Sequence, residues 1–334
     1  MKGKALKYYR ETITEQEMLR RLPPEEQQEY FDICAGLRYP SLMSDIIAKN
    51  CFDPDVHPDR LEFLLRRVTG DMTIKVEGSF KNEGGAGFTD AKQIVFDIPV
   101  RLSDGRLSDV DFQVQAQDFA LERGQIYGSD LLTIQYSKTS TQKKGDVNYD
   151  SVKEIILVFL LRNSPKGFRD FCSERYVHRF DDYAADSGFS YKPLIKTVYV
   201  QVDKALEQFE NGIDGEHDPE LQLLLAMMGD LNDELVQERI RESSFMSEIA
   251  VHVRKLSLNR EVQKALLAEK YYDLDLAAVK HYERREGREE GEYRGRLEMA
   301  VRFVKSGSVS KEKAAELAEI SPEELEEALR AEGE

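Results

Sequence analysis

The chain has 334 residues, with 47 Lys and Arg against 63 Asp and Glu, so its formal net charge is −16. A composition of 41% apolar and 33% charged residues excludes a chain that is disordered throughout, and the length predicts about two domains. The acidity argues against a protein that coats nucleic acid by bulk charge, because such binding needs clustered Lys and Arg, but it does not exclude a local nucleic-acid site.

Short helices are predicted first along the chain. An apolar helical pattern covers residues 30–37, and a second helix is indicated over residues 44–52. A third is indicated over residues 57–68, where Pro58 occupies a first-turn position. We expect these helices to precede a sheet.

From residue 72 the apolar period becomes that of a strand. Residues 72–78 alternate between apolar and polar, and residues 93–102 are β-branched and apolar. Asp104-Gly105 is a tight-turn signal, after which residues 108–115 alternate strictly. Three strands in a meander are therefore predicted.

The rest of the first half mixes helix and strand. Residues 119–136 have a helical pattern, Ile155–Leu161 is a fully apolar run typical of a buried strand, and residues 197–202 are a further strand candidate. Strands flanked by helices define an α/β domain, which we place at residues 1–205.

After this domain the strand signal disappears. We predict a helical region over residues 206–285, then a segment over residues 286–334 with a charged helix and two short terminal helices. In the charged helix, glycines recur every four residues from Gly287 to Gly295. Each costs about 1 kcal/mol of helix propensity, so the spacing indicates either a marginal solvated helix or a stripe for close helix–helix approach. The last 30 residues contain four basic and nine acidic residues, which favours self-association or partner binding over docking on phosphates.

Cysteine usage and apolar runs bear on the compartment. Cys34, Cys51 and Cys172 form no CxxC pair, so neither a disulfide framework nor a cysteine zinc site is supported. The beginning of the chain lacks the apolar segment of a signal peptide, and the longest apolar run, Ile155–Leu161, is too short to span a bilayer. We therefore expect a cytoplasmic protein with no membrane partner.

Candidate chemistry lies in the predicted second and third strands. Asp97 lies within an otherwise apolar strand, and Asp111 and Gln113 share one face of the next strand. The intervening turn can bring Asp97 and Asp111 side by side, where two like charges are tolerated mainly if a divalent cation neutralises them. The alternative is that Asp97 caps or ends its strand, while Asp109 and Asp111 are ordinary solvent-facing residues of a hairpin.

These residues also carry a family resemblance. The segment from Phe96 to Gln113, with the pattern FD-x7-G-x5-D-x-Q, resembles the core of the PD-(D/E)XK nuclease superfamily, and specifically of the Rpn family of recombination-promoting nucleases and transposases. The first family acid falls on Asp97 and the turn glycine on Gly105. The second acid, usually Glu, falls on Asp111, and the Gln that replaces the superfamily's lysine falls on Gln113.

Further segments resemble the family in the same order. The segment SDIIAKNCF resembles its helical opening, and ERGQIYGSDLL resembles the helix after the second acid. KKGDVNYDSVKEIILVFLL resembles its apolar-strand segment, and the glycine-spaced tail resembles its C-terminus. Residues that match are Asp45, Lys49, Phe52, Arg123, Tyr127, Ser129 and Leu131.

The resemblance implies a restriction-endonuclease-like α/β core, a central mixed sheet flanked by helices, followed by an all-helical C-terminal region. It implies a metal-dependent DNA endonuclease related to transposition and mobile elements. Mg²⁺, or Mn²⁺ in its place, would be held by Asp97 and Asp111, and Gln113 would orient the attacking water. Asp45 would add an outer ligand; as an N-cap of its helix it would have a structural role instead.

The implied partners are DNA and a second copy of the chain. Arg123 and Tyr127 occupy family positions suited to DNA contact, and Lys138, Lys143 and Lys144 lie in a stretch without acids that suits phosphate contact, or is a solvated loop. A homodimer through the C-terminal helices is expected. Because Asp111 and Gln113 replace Glu and Lys, the alternative function is a catalytically impaired nuclease-fold protein that acts as an interaction or regulatory module.

Overall fold

The computed structural model describes residues 13–80, 96–114, 120–139, 152–171, 173–180, 186–189, 191 and 193–331. The strands are β1 (Val76–Ser79), β2 (Ile98–Leu102), β3 (Leu107–Gln113), β4 (Ile155–Leu161), β5 (Val177–Phe180) and β6 (Ile195–Gln201). The helices before and between them are α1 (Glu15–Arg21), α2 (Pro24–Cys34), α3 (Asp45–Cys51), α4 (Pro58–Thr69), α5 (Ala120–Thr139) and α6 (Lys166–Asp170). The helices that follow are α7 (Val202–Glu210), α8 (Pro219–Gly229), α9 (Glu234–Ile240), α10 (Ser244–Ser257), α11 (Arg260–Lys305), α12 (Lys311–Ala318) and α13 (Pro322–Ala331).

The strands form one mixed six-stranded sheet in the order β1-β2-β3-β4-β6-β5. The first three strands pair antiparallel, which confirms the predicted meander, and β4 lies parallel to both β3 and β6. The strand β5 pairs antiparallel with β6 at the edge. It was not predicted, because its short sequence VHRF is half exposed and carries no apolar run.

The two faces of the central strand explain its unbroken apolar sequence. All seven residues of β4 are buried. Side chains such as Val158 pack into a core that includes Ile47 of α3 and Leu61 of α4. Their neighbours, such as Phe159, pack on the opposite face with Leu131 of α5. Each fully buried apolar side chain of this kind stabilises the fold by about 1.5–3 kcal/mol.

The helices after β6 extend the core on the α3 and α4 side of the sheet. Every residue of α8 from Leu221 to Met228 is buried, and apolar residues of α9 and α10 belong to the same cluster as Val158. The predicted boundary at residue 205 therefore falls inside a continuous core. The chain divides into two compact units, and the first of them ends at Glu269.

The second compact unit is Lys270–Glu334. It has a small core of its own, formed by Ala300, Val301, Ala314, Ala315, Ala318 and Leu325. Ser310 is the N-cap of α12, and its side chain accepts the backbone N–H of Lys313 at 3.3 Å. Ser321 and Glu324 form a reciprocal capping box at the start of α13.

At the level of architecture, the predicted α/β fold with a mixed sheet flanked by helices, followed by a helical C-terminal region, is confirmed. Within the described ranges, no helix has both the length and the apolar character needed to cross a membrane. The cytoplasmic location stays a prediction.

Candidate active site

The hairpin of β2 and β3 brings Asp97 and Asp111 together. In the antiparallel register, Ile98 faces Val110, so Asp97, one residue before β2, lies opposite Asp111. One carboxylate oxygen of Asp97 accepts the backbone N–H of Phe112 at 3.2 Å. The predicted side-by-side placement is confirmed, and Asp97 also stands at the end of its strand, as the alternative expected.

Asp111 is buried at the centre of a polar group. Its side chain lies on the face of β3 that α5 covers and is 1% exposed, so the expectation of a solvent-facing residue was wrong. Its carboxyl group shares a hydrogen bond with that of Asp97. The Gln113 amide donates to Asp111 Oδ2, and Arg123 Nη2 lies 3.2 Å from the same oxygen.

Burial and like charge govern the ionisation of Asp111. Removal from water raises its pKa well above the ordinary value, and the charge of Asp97 with the hydrogen bond between the two groups raises it further, while Arg123 opposes both. Two carboxylates in contact cannot both ionise cheaply. Without a cation, burial and the neighbouring Asp97 therefore favour the protonated form of Asp111, whose proton a divalent ion would displace.

Asp109 is the site residue that the sequence reasoning missed. It is 1% exposed, and neither of its carboxylate oxygens has a hydrogen-bond partner within the described part of the chain. Burial, then the charge of Asp97, raises its pKa well above the ordinary value, while the Ile98 N–H, Arg123 and Lys49 act to lower it. The signal was present, because Asp109 and Asp111 are two residues apart and side chains at that spacing share a strand face.

The helix α5 supplies the positive charge. The Arg123 guanidinium lies over the Tyr127 ring, 4.7 Å from its centroid, and Nη2 donates to the Tyr127 hydroxyl at 2.8 Å. Tyr127 is itself held edge-on against Phe96. Burial raises the pKa of Tyr127 to about 12, so its hydroxyl stays protonated. The predicted pair Arg123 and Tyr127 thus lies at the carboxylates.

Of the remaining predicted site residues, only Asp45 lies in the described part of the chain with its side chain, and its contacts are with other groups. Asp45 Oδ1 pairs with Lys49 Nζ at 2.7 Å, and the Asp45 N–H donates to Glu269 at 2.9 Å. The N-cap of α3 is Ser44, so the N-cap role considered for Asp45 was wrong by one residue. The side chain of Lys138 and the whole of Lys143 and Lys144 lie outside the described residues.

A cavity of about 520 Å³ lies at the opposite end of the parallel strands. Its main cation, Arg106, forms ion pairs with Asp71, Asp104 and Glu154 at 2.9, 2.7 and 2.6 Å. With three acids around it, that guanidinium is neutralised by the protein itself. These ion pairs of Arg106 hold the starts of β3 and β4 together, since the three acids lie in the adjoining turns.

The donor atoms suit a hard divalent cation. Mg²⁺ and Mn²⁺ prefer carboxylate, amide and water oxygens, which Asp97, Asp109, Asp111 and Gln113 provide. In the described ranges no three His, Cys, Asp or Glu side chains converge as a ready-made ligand set. Asp111 is instead turned to Gln113 and Arg123. Asp109, whose carboxyl oxygens have no hydrogen-bond partner among the described residues, is a further oxygen donor on the same face of β3.

Comparisons of this chain with protein-family models, with curated proteins and with solved structures find no match. The function of the protein is therefore inferred from the chain's own geometry. That geometry consists of carboxylates on β3 and at the start of β2, an amide on the same face, and an arginine from α5.

Proposed function

We propose that this protein is a metal-dependent DNA endonuclease that hydrolyses phosphodiester bonds, with a restriction-endonuclease-like core and a relationship to the recombination-promoting nucleases and transposases of mobile elements. The observation that carries the proposal is the placement of Asp97 opposite Asp111 in the β2–β3 register, with the Asp111 side chain fully buried. Such a pair is costly while both groups are ionised, and a divalent cation that neutralises it would supply what a metal-dependent phosphodiesterase uses.

Each residue of the candidate site would have its own role in the hydrolysis. Asp97 and Asp111 would hold a divalent cation, Mg²⁺ or Mn²⁺, which supplies polarisation of the scissile phosphate and neutralises the leaving oxygen. Gln113, fixed by its hydrogen bond to Asp111, is placed to orient a water but cannot accept its proton. Arg123, held by Tyr127, is 27% exposed and offers positive charge to a phosphate at the rim of the site.

A plasmid-nicking assay tests the proposal. The wild-type protein is expected to relax supercoiled DNA in Mg²⁺ or Mn²⁺ and not in EDTA, and Asp97→Asn is expected to lose this activity. Asp170→Asn is the matched control, because Asp170 is exposed on α6 and pairs only loosely with Lys166 at 3.9 Å. Equal nicking by wild type and Asp97→Asn would refute the proposal.

A second function is favoured by a specific contact. The ion pair between Arg123 and Asp111 partly neutralises the site without any metal, which suits a nuclease fold retained as an interaction or regulatory module. That reading predicts no nicking in Mg²⁺ or Mn²⁺ and no rise in melting temperature on addition of either ion. Nicking that Asp97→Asn abolishes would exclude it.

A further inference from the structure

Asp109 combines complete burial with a lack of partners. Its side chain is 1% exposed, and both carboxylate oxygens are without a hydrogen bond within the described residues. Buried polar groups in folded proteins almost always have partners, and a buried carboxyl without one destabilises the fold. A purely structural acid would cap, bridge or pair with a donor, and within the described residues Asp109 has no such hydrogen bond.

The groups around Asp109 indicate which kind of partner would stabilise its carboxyl group. It shares one face of β3 with Asp111, two residues on, and its backbone pairs with Pro99, two residues from Asp97. The nearby charges that act on it are the carboxylate of Asp97 and, with opposite sign, Arg123 and Lys49. A carboxyl oxygen that accepts no hydrogen bond and lies beside two further carboxyl groups is the kind of ligand that a hard divalent cation binds.

We propose that Asp109 is a further oxygen ligand of the divalent cation at the Asp97–Asp111 site, so that β3 contributes two carboxylates to that site. This rests on the proposed function. The three side chains do not converge in the described structure, so binding requires rotation. Within the described residues Asp109 has no hydrogen bond to lose on rotation, whereas Asp111 would give up Gln113 and Arg123.

Titration calorimetry with MnCl₂, on the full chain and without DNA, tests the inference. Asp109→Asn keeps the shape of the side chain and removes the charge. We expect it to bind Mn²⁺ about 10–100-fold more weakly than wild type, while in EDTA it melts at the same temperature or higher because a neutral amide replaces a buried acid. Asp170→Asn should bind as wild type does. If the amide prevents folding, Asp109→Ser gives the same comparison.

The outcomes separate this inference from the proposed function. Unchanged Mn²⁺ affinity in Asp109→Asn, with affinity lost in Asp97→Asn, overturns the role of Asp109 and leaves the metal site standing. Absence of Mn²⁺ binding by the wild-type protein overturns both. Weakened binding in Asp109→Asn, together with a smaller rise in melting temperature on adding Mn²⁺, supports the assignment.

Discussion

At the scale of single residues, the core of this protein contains two buried acids that lower the stability of the fold. Asp109 and Asp111 are each 1% exposed on a strand whose opposite face is packed with apolar side chains. Apolar residues at these positions would give a more stable sheet, since buried charge is expensive even when paired. Under the proposed function, a divalent cation bound by these carboxylates would account for their presence.

The buried acids predict an unusual dependence of stability on pH. The folded-state pKa values of Asp109 and Asp111 are raised, so both groups favour folding only while protonated. Stability is therefore fully present below the ordinary Asp pKa and is lost as pH rises toward the folded-state values, by up to about 1.4 kcal/mol per pH unit for each group. In urea unfolding with EDTA, Asp109→Asn should lose less stability than wild type between about pH 5 and about pH 7. Equal losses would contradict this.

Arg123 predicts a second effect at the same scale. Arg123→Ala leaves Asp111 without its counter-charge, so we expect the free energy of unfolding in EDTA to fall by about 1–3 kcal/mol near neutral pH. Added Mn²⁺ should then raise the melting temperature more than in wild type, because the ion takes over the neutralising role. Lys166→Ala, which breaks the exposed pair with Asp170, is the control and should change stability by less than about 0.5 kcal/mol. A melting response to Mn²⁺ equal to that of wild type would argue against this role.

At the scale of elements, two features build the site: the β2–β3 register and the close approach of α5 to the sheet. The register was predictable, because the Asp104-Gly105 turn fixes it, and Gly105 has the positive φ of 85° that the turn requires. The burial of Asp109 and Asp111 was not predictable, because it depends on α5 covering the strand, which is a contact between distant segments. Local alternation cannot say which face of a sheet is covered.

Two glycines predict how tightly α5 is seated. A methyl group at Gly128 would lie 2.7 Å from Ile195 Cγ2, whereas one at Gly291 of α11 meets nothing within 4 Å. Helix propensity alone favours alanine by about 1 kcal/mol at both positions. We expect Gly291→Ala to be neutral or stabilising and Gly128→Ala to destabilise by about 1–3 kcal/mol through overpacking. The melting temperatures of both variants test this expectation. Stabilisation by Gly128→Ala would show that α5 is loosely packed against the sheet.

At the scale of the whole molecule, the charge is divided unevenly. The first 165 residues have a balance of −4 and the remaining 169 a balance of −12. Part of the acidity of the first half comes from the carboxylates of the candidate site.

The alternation of helix and strand patterns predicted the α/β order, but not that α8 to α10 share the core of the sheet, since packing between distant segments leaves no local pattern. A methyl group added at Gly287, Gly291 or Gly295 would meet nothing within 4 Å in the described chain, so close helix–helix approach at these glycines stays a prediction.

DNA contact predicts a dependence on salt. Replacing Lys138, Lys143 and Lys144 together by Ala should weaken DNA binding without changing the response of the melting temperature to Mn²⁺. If all three contact phosphates, the slope of log affinity against log salt should become shallower by roughly 2–3. Fluorescence anisotropy with a labelled duplex over a range of NaCl concentrations measures this slope. An unchanged slope would remove these lysines from the interface.

The central claim, that Asp97 and Asp111 form a divalent-cation site, is tested most directly by anomalous diffraction from crystals of the full chain soaked in MnCl₂. We predict an anomalous peak with carboxylate oxygens of Asp97 and Asp111 at about 2.0–2.6 Å, and with Asp109 turned toward it. Absence of a peak at these carboxylates, with the Arg123–Asp111 ion pair intact in the presence of Mn²⁺, would contradict the account.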